Sequence, residues 1–119
     1  MIELIKDMPE NVIAVRMSGK VTGDDYYEVL VPAIEGKVKK HEKVRLLYQV
    51  DTDIKITLDA MFDDLKLGVY NYNSFEKFAL VSDVGWMADA VRMFKHIIPG
   101  TVKTYSNYEF PEAKAWISE

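Results

Sequence analysis

The chain contains no cysteine, and this absence removes several kinds of site at once. Without a thiol it has no disulfide framework, no thiolate nucleophile and no cysteine-ligated metal centre. Histidine is scarce too: His41 and His96 both fall near the C-terminal ends of predicted helices, where the helix dipole favours a cation. Neither histidine has a base or ligand partner four residues away. We therefore expect no enzyme with familiar acid–base or nucleophilic machinery, and no cofactor.

Long apolar runs and clusters of basic residues are also missing. No window approaches the ~18 uninterrupted apolar residues that a membrane-spanning helix needs, and the charges within residues 1–10 do not fit a signal peptide. The net charge is −4, and lysines and arginines interleave with acids instead of forming a phosphate-binding surface. The six glycines form neither GxGxxG nor GxxxxGK, so no phosphate-cradling loop is predicted. We expect a soluble cytoplasmic protein that neither spans a membrane nor binds nucleic acid.

What the chain does contain is enough apolar residues for one sizeable core, since 49% of its 119 residues are hydrophobic. Short apolar strands alternate with amphipathic helices after an N-terminal β-hairpin. This alternation predicts a small mixed, mostly parallel sheet with right-handed crossovers and about four helices. The predicted strands cover Ile2–Ile5, Val12–Ser18, Val44–Val50, Phe78–Val81 and Thr101–Tyr105. We therefore predict a single α/β domain over residues 1–119.

Local signals mark where the predicted helices begin. Thr22, followed three residues later by Asp25, approximates a capping box. Thr57 is a suitable N-cap for a second helix after a loop over Asp51–Ile56. Pro32 lacks an N–H group, so it should kink or split the first helix. The last two helices are predicted to begin at Trp86 and Pro111, and the terminal one to bury Ala113, Trp116 and Ile117.

The stretch Lys77–Ile98 combines a strand, a polar turn and a helix. Residues Phe78–Val81 are apolar without alternation, which is typical of a strand covered on both faces. The turn Ser82–Gly85 follows this strand. An apolar helical stripe then comprises Trp86, Met87, Ala90, Val91, Phe94, Ile97 and Ile98. Because open α/β sheets bind ligands outside the carboxyl ends of their strands, this turn is where a site would lie.

Two polar features of the second predicted helix each admit two interpretations. Asp59, Asp63 and Asp64 form an acidic helical face. This face could be simply exposed to solvent or could bind magnesium, and the first interpretation is favoured. Thr57 could accept a phosphate that the helix N-terminus would stabilise. An ordinary N-cap accounts for the same residue and is favoured.

The sequence resembles the SpoIIAA-like proteins, which are relatives of the STAS domains of anti-sigma-factor antagonists. The similarity extends over nearly the whole chain, in the order and spacing of several short segments. These segments are Gly19–Tyr26, Val44–Tyr48, Asp63–Gly68, Glu76–Asp83 followed by Trp86, Val102–Tyr105 and Glu112–Ile117. The resemblance implies a β/α fold with a small mixed sheet, in a bacterial family without an established activity. Some relatives are thought to open between helices in the manner of CRAL-TRIO lipid carriers, exposing an apolar cavity.

The first hypothesis is a non-enzymatic binding module that holds a small apolar or lipid-like ligand. The ligand would lie between the sheet and the helices that start at Thr57 and Trp86. Met and aromatic side chains suit an adaptable apolar pocket. Apolar contact would come from Tyr48, Phe62, Trp86 and Phe94. The polar rim would come from Asp51, Ser82 and Asp83.

The second hypothesis is a STAS-like regulatory protein that binds a protein partner through the surface around Asp53–Thr57. Phosphorylatable STAS antagonists resemble one another in an Asp-x-Ser-Gly-type motif at the helix after the middle parallel strand. The corresponding residues here, Asp51–Thr57, contain neither serine nor glycine. Thr57 would then be the candidate phosphoacceptor. The sequence leaves the oligomeric state open.

Overall fold

The computed structural model describes residues 1–57, 59–60, 72–94 and 100–119. Its strands are β1 (Ile2–Leu4), β2 (Val12–Met17), β3 (Lys20–Val21), β4 (Val44–Val50), β5 (Lys55–Ile56), β6 (Phe75–Ser82) and β7 (Thr101–Tyr105). Five of them form the main sheet in the order β1-β2-β4-β6-β7. Strand β1 runs antiparallel to β2, and the other neighbours are parallel. The predicted mixed, mostly parallel sheet with an N-terminal hairpin is confirmed.

A separate two-stranded parallel sheet joins β3 to β5. Lys55 and Ile56 were predicted to lie in a loop, and that prediction is wrong. Each strand has only two residues, which is too short to show the alternation that identifies a strand. This pair joins the segment after β2 to the segment after β4, just beyond the carboxyl ends of those two strands.

Three helices lie in the described part of the chain. Helix α1 consists of an α-helical turn Gly23–Asp25, a π-helical segment Tyr26–Leu30 and an α-helix Val31–Lys40. Helices α2 (Gly85–Phe94) and α3 (Phe110–Ser118) follow β6 and β7, with a 3-10 turn Asn107–Glu109 leading into α3. Asp59 and Ala60 are helical and lie at the start of the second predicted helix, whose residues 61–71 lie outside the described ones. The predicted end of the Trp86 helix at Ile98 also lies outside them.

The start of α1 confirms the predicted capping box. The Asp25 N–H donates to Thr22 Oγ1 at 3.4 Å, and the Thr22 N–H donates to Asp25 Oδ2 at 2.8 Å. Pro32 does not split the helix, because the π-helical segment precedes it and the Val31 N–H bonds to the Tyr26 carbonyl five residues back. A wider turn at this point accommodates a residue that has no N–H to donate.

Helices pack on both faces of the main sheet. Helices α1 and α2 and the start of the helix at Asp59 cover one face, where they share a buried cluster with alternate residues of β2, β4 and β6. This cluster includes Ile13, Val15, Tyr26, Leu30, Ile34, Tyr48, Ala60, Leu80 and Met87. Helix α3 covers the other face, where Ala113 and Ile117 pack with Leu47, Ala79 and Val81. The apolar runs of β4 and β6 are therefore buried on both sides, as strands of a covered parallel sheet are.

The C-terminal end of α3 is held by cations from the strands beneath it. Arg45 Nη1 donates to the Ile117 carbonyl at 2.9 Å, and Lys77 Nζ donates to the Trp116 carbonyl at 3.1 Å. Lys77 and Lys103 also place their ammonium groups 5.0 Å and 4.9 Å from the centroid of the Trp116 ring. Trp116 was predicted to be buried, but its indole is only half-buried because it lies among these lysine side chains. Cations at this end stabilise the helix by satisfying its last carbonyls.

Candidate functional site

The carboxyl ends of β2, β4, β6 and β7 meet at one edge of the sheet, since these four strands are parallel. The predicted rim residues Asp51, Ser82 and Asp83 all lie at this edge, at or just after the ends of β4 and β6. After β6 the chain passes to α2 on one face, and after β7 it passes to α3 on the other. Adjacent strands whose connections leave toward opposite faces create the crevice in which open α/β sheets bind ligands.

Asp83 joins the loop after β6 to the loop after β7. Its carboxylate accepts two hydrogen bonds from Asn107, from the backbone N–H at 3.2 Å and from Nδ2 at 3.1 Å. Ser82 is almost fully buried, and its Oγ accepts from the Val84 N–H at 3.0 Å. Both residues therefore hold the loops after β6 and β7 in place.

Asp51, directly after the end of β4, forms an ion pair with Arg16 of β2. Its carboxylate accepts from Arg16 Nη2 at 2.6 Å and from Arg16 Nε at 3.2 Å, a fork geometry that joins β4 to β2. Hydrogen bonding to Asp51 raises the pKa of the Arg16 guanidinium. The predicted polar rim is thus divided, because Asp51 pairs toward β2 while Asp83 pairs toward β7.

The apolar residues predicted to contact a ligand occupy different environments. Tyr48 is buried, and its ring meets Phe78 edge-on at a centroid distance of 5.1 Å. Trp86 is 59% exposed, although it belongs to the apolar stripe predicted for this helix. Met87 is buried instead, and Val91 packs with it one turn further on. Phe62 and the side chain of Phe94 lie outside the described residues, so the predicted ligand site stays a prediction.

Thr57 is confirmed as an N-cap. Its N–H donates to the Val21 carbonyl at 3.0 Å, and its Oγ1 accepts from the Ala60 N–H at 3.4 Å. The single hydroxyl proton faces two acceptors, the Val21 carbonyl at 3.2 Å and Asp59 Oδ1. The other oxygen of Asp59 accepts from the Gly23 N–H at 3.1 Å. Thr57 and Asp59 therefore tie the start of one helix to the start of α1.

This arrangement makes stability depend on pH through Asp59. The Thr57 hydroxyl, assisted by the Gly23 N–H, lowers the pKa of the Asp59 carboxyl. Since the folded-state pKa lies below the unfolded one, ionised Asp59 stabilises the fold above the ordinary carboxyl pKa of about 4. That contribution disappears as the pH falls through the folded-state pKa.

We expect Asp59→Asn to be less stable than wild type at pH 7 and to approach it as the pH falls toward 3. Urea unfolding at several pH values measures the difference in free energy. Thr57→Ser keeps the hydroxyl and should follow the wild-type pH dependence, whereas Thr57→Val should lose part of it. A difference that stays constant from pH 7 to pH 3 would show that the Asp59 carboxylate has no special role.

Sequence reasoning missed Arg16 and Asn107, the partners of the two rim carboxylates. Arg16 is paired with Gln49 in the register of β2 and β4, so it comes beside Asp51 only once those strands align. Tyr108 was missed as well, although it is 93% exposed beside the crevice. Of the predicted acidic face, only Asp59 falls within the described residues. Among these residues no group of three acids or histidines is placed to hold a metal ion.

A model of the SpoIIAA-like family matches residues 12–118, which is most of the chain. The protein belongs to the SpoIIAA-like family. A solved structure from Shewanella loihica PV-4, described as an uncharacterized protein of the DUF3478 family with a SpoIIAA-like fold, has the same architecture. It is 24% identical, the match covers 98% of this chain and 92% of that one, and the TM-score is 0.75. No curated protein matches the chain.

Membership of the SpoIIAA-like family confirms the resemblance seen in the sequence and supports a regulatory or binding domain at the level of the family. Within the described residues of this SpoIIAA-like chain, no helix is long and apolar enough to cross a membrane.

Proposed function

We propose that this SpoIIAA-like protein is a non-enzymatic regulatory module that binds a protein partner through the segment Thr52–Thr57. The observation that supports this proposal is that the segment is both exposed and firmly held. Thr52, Asp53 and Lys55 are exposed, and the Lys55 N–H donates to the Gly19 carbonyl at 2.8 Å. Asp53 Oδ1 also accepts from the Gly19 N–H at 3.1 Å.

A segment held in this way is suited to recognition. Binding normally costs free energy because loops and side chains lose conformational freedom at the interface. Here the backbone of the segment is already fixed by the β3–β5 pair and by the cap at Thr57, so little further ordering is required. The carboxylate of Asp51, which directly precedes the segment, is bonded to Arg16 and so holds the chain where the segment begins.

A pull-down from an extract of the source cells tests the proposal. The double variant Thr52→Arg/Lys55→Glu changes two exposed side chains of the segment, and Lys39→Glu changes an exposed lysine on α1 as a matched control. We expect wild type and Lys39→Glu to recover the same protein and the double variant to recover about tenfold less, equivalent to about 1.4 kcal/mol of binding free energy. Equal recovery by all three proteins would contradict the proposal, and so would the absence of any specific partner.

Thr57 is the phosphoacceptor that we propose for regulation of this surface. A phosphate on Oγ1 would displace the hydroxyl proton from Val21 and Asp59 and would bring two negative groups together. The tie between the two helix starts would then loosen. We expect Thr57→Glu to weaken partner recovery more than Thr57→Ala, and mass spectrometry of protein isolated from cells to find phosphate on Thr57. Identical recovery with both variants, without phosphate on the isolated protein, would remove this role.

Binding of a small apolar ligand is a second candidate. It is favoured by the buried cluster on one face of the sheet, which Ala60 and Met87, each from the start of a helix, share with Tyr48. The two helices therefore meet the sheet where the ligand was predicted. Native mass spectrometry of the purified protein, before and after exposure to a lipid extract, should detect an added mass and a higher melting temperature. Protein that stays empty with an unchanged melting temperature would count against this candidate.

A further inference from the structure

Two exposed aromatic side chains stand on the loops that Asp83 joins. Trp86 lies in the first turn of α2 and is 59% exposed, and Tyr108 lies in the 3-10 turn before α3 and is 93% exposed. Trp86 follows Asp83 by three residues, and Tyr108 directly follows Asn107. The hydrogen bonds between Asp83 and Asn107 therefore bring the two aromatic residues to the same end of the sheet.

These aromatics add little to the core, because the buried residues of α2 and α3, among those whose side chains the structure describes, are Met87, Ala113 and Ile117. Exposed Trp and Tyr side chains are enriched at protein interfaces, where they supply much of the binding energy. The hydrogen bonds between Asp83 and Asn107 join the two loops that carry these residues, so the backbone beneath both side chains is held before a partner arrives.

The surroundings of both aromatic residues are acidic. Asp89 lies one helical turn after Trp86 in α2, a spacing that puts the two side chains on the same face of the helix, and Glu112 lies in the first turn of α3, four residues after Tyr108. Residues 83–94 and 105–113 together contain the acids Asp83, Asp89, Glu109 and Glu112 against the single base Arg92. Arg92 is itself paired with Asp89 at 3.0 Å.

A neighbouring tyrosine responds to the same negative field. Burial raises the pKa of the Tyr105 hydroxyl, and the charges of Glu119, Glu109 and Glu112 raise it further. Glu109 and Glu112 therefore place negative charge at the start of α3, next to the turn that carries Tyr108.

We propose that Asp83, Trp86, Asp89, Tyr108 and Glu112 form a docking surface for an arginine-bearing segment of a protein partner. A guanidinium group stacks on an indole or phenol ring and pairs with a carboxylate at the same time, which suits alternating aromatic and acidic side chains. We call these five residues the Trp86–Tyr108 surface. It lies at the ends of β6 and β7, apart from the Thr52–Thr57 segment that follows β4, and it does not depend on the function proposed for that segment.

The test uses the full chain and a nine-residue peptide that holds three arginines among glycine and serine. A peptide with three lysines in the same places carries the same charge and serves as the comparison. Two-dimensional amide NMR, which also reports the indole N–H of each tryptophan, follows the titration. We expect the shifts to concentrate in residues 83–92 and 106–112, and the arginine peptide to bind about threefold to fivefold more tightly than the lysine peptide.

Two variants and a control locate the contact. Trp86→Ala and Tyr108→Ala should each weaken the arginine peptide by about threefold to fivefold, the range expected for an exposed cation–aromatic contact. Tyr27→Ala removes an aromatic residue of α1 that is equally exposed, at 60%, and should leave binding unchanged. All three side chains are exposed, so none of these substitutions should disturb the packing of the core.

Three results would overturn the proposal. The first is equal affinity for the arginine and lysine peptides, which would indicate charge attraction alone. The second is an equal loss in Tyr27→Ala, and the third is a set of shifts concentrated in residues 52–57 or spread over the whole surface. None of these results decides the proposal for the Thr52–Thr57 segment, which is tested separately by the pull-down.

Discussion

Gly100→Ala is expected to lower the free energy of unfolding by about 2–4 kcal/mol, combining left-handed backbone strain with overpacking. Gly100 has a φ of +78°, and a Cβ added there would lie 2.9 Å from the Cα of Glu76 and closer still to its carbonyl group. The obstacle is backbone, which cannot rotate away as a flexible side chain can. Relief would require the start of β7 to move away from β6, where Thr101 pairs with Lys77.

The matched control is Gly36→Ala. Gly36 lies inside α1, has no atom within 4 Å of an added Cβ and should gain about 0.5–1 kcal/mol from the higher helix propensity of alanine. Urea unfolding should show that glycine-to-alanine substitution lowers the free energy of unfolding at position 100 and raises it at position 36. A loss below 1 kcal/mol for Gly100→Ala would show that the β6–β7 junction is looser than described.

Ile117→Ala is expected to destabilise the protein by about 3 kcal/mol, within the range for large-to-small changes in a packed core. Ile117 lies near the end of α3 and is completely buried. It packs with Ala113 over Leu47, Ala79 and Val81, so its loss opens a cavity between α3 and the central strands.

Lys114→Ala serves as the control for Ile117→Ala, because Lys114 is exposed on the same helix and should change stability by less than about 0.5 kcal/mol. Denaturant unfolding gives both values. Amide hydrogen exchange should also show faster exchange in α3 of Ile117→Ala. Similar small effects of both substitutions would mean that α3 frays from the sheet and contributes little to the core.

The elements that sequence reasoning located well are those with a local cause. The strands Val44–Val50 and Thr101–Tyr105 match their predicted bounds, since each is an apolar or β-branched run between turn residues. The capping box at Thr22 and Asp25 also needs only residues close in sequence. The separate β3–β5 sheet could not be predicted, because its two short strands are recognisable only once they lie side by side.

In the candidate site, too, contacts between residues distant in sequence could not be predicted. The sequence located Asp51, Ser82 and Asp83 at the carboxyl edge because each lies at or just after the end of a predicted strand. It could not show that Arg16 and Asn107 neutralise or bridge two of them, since those partners lie 35 and 24 residues away along the chain. The exposure of Trp86 could not be predicted either, because an apolar stripe does not show which of its members faces the sheet, and in α2 that member is Met87.

The lysine side chains around Trp116 make the two tryptophans of the chain spectroscopically separable. Trp116 lies beneath two ammonium groups, whereas Trp86 stands in solvent near carboxylates. A charged collisional quencher senses this difference: iodide should concentrate near Trp116, and caesium near Trp86. The protein thus carries two internal fluorescence probes, one at the end of α3 and the other at the carboxyl edge of the sheet, and no label has to be attached to follow either region.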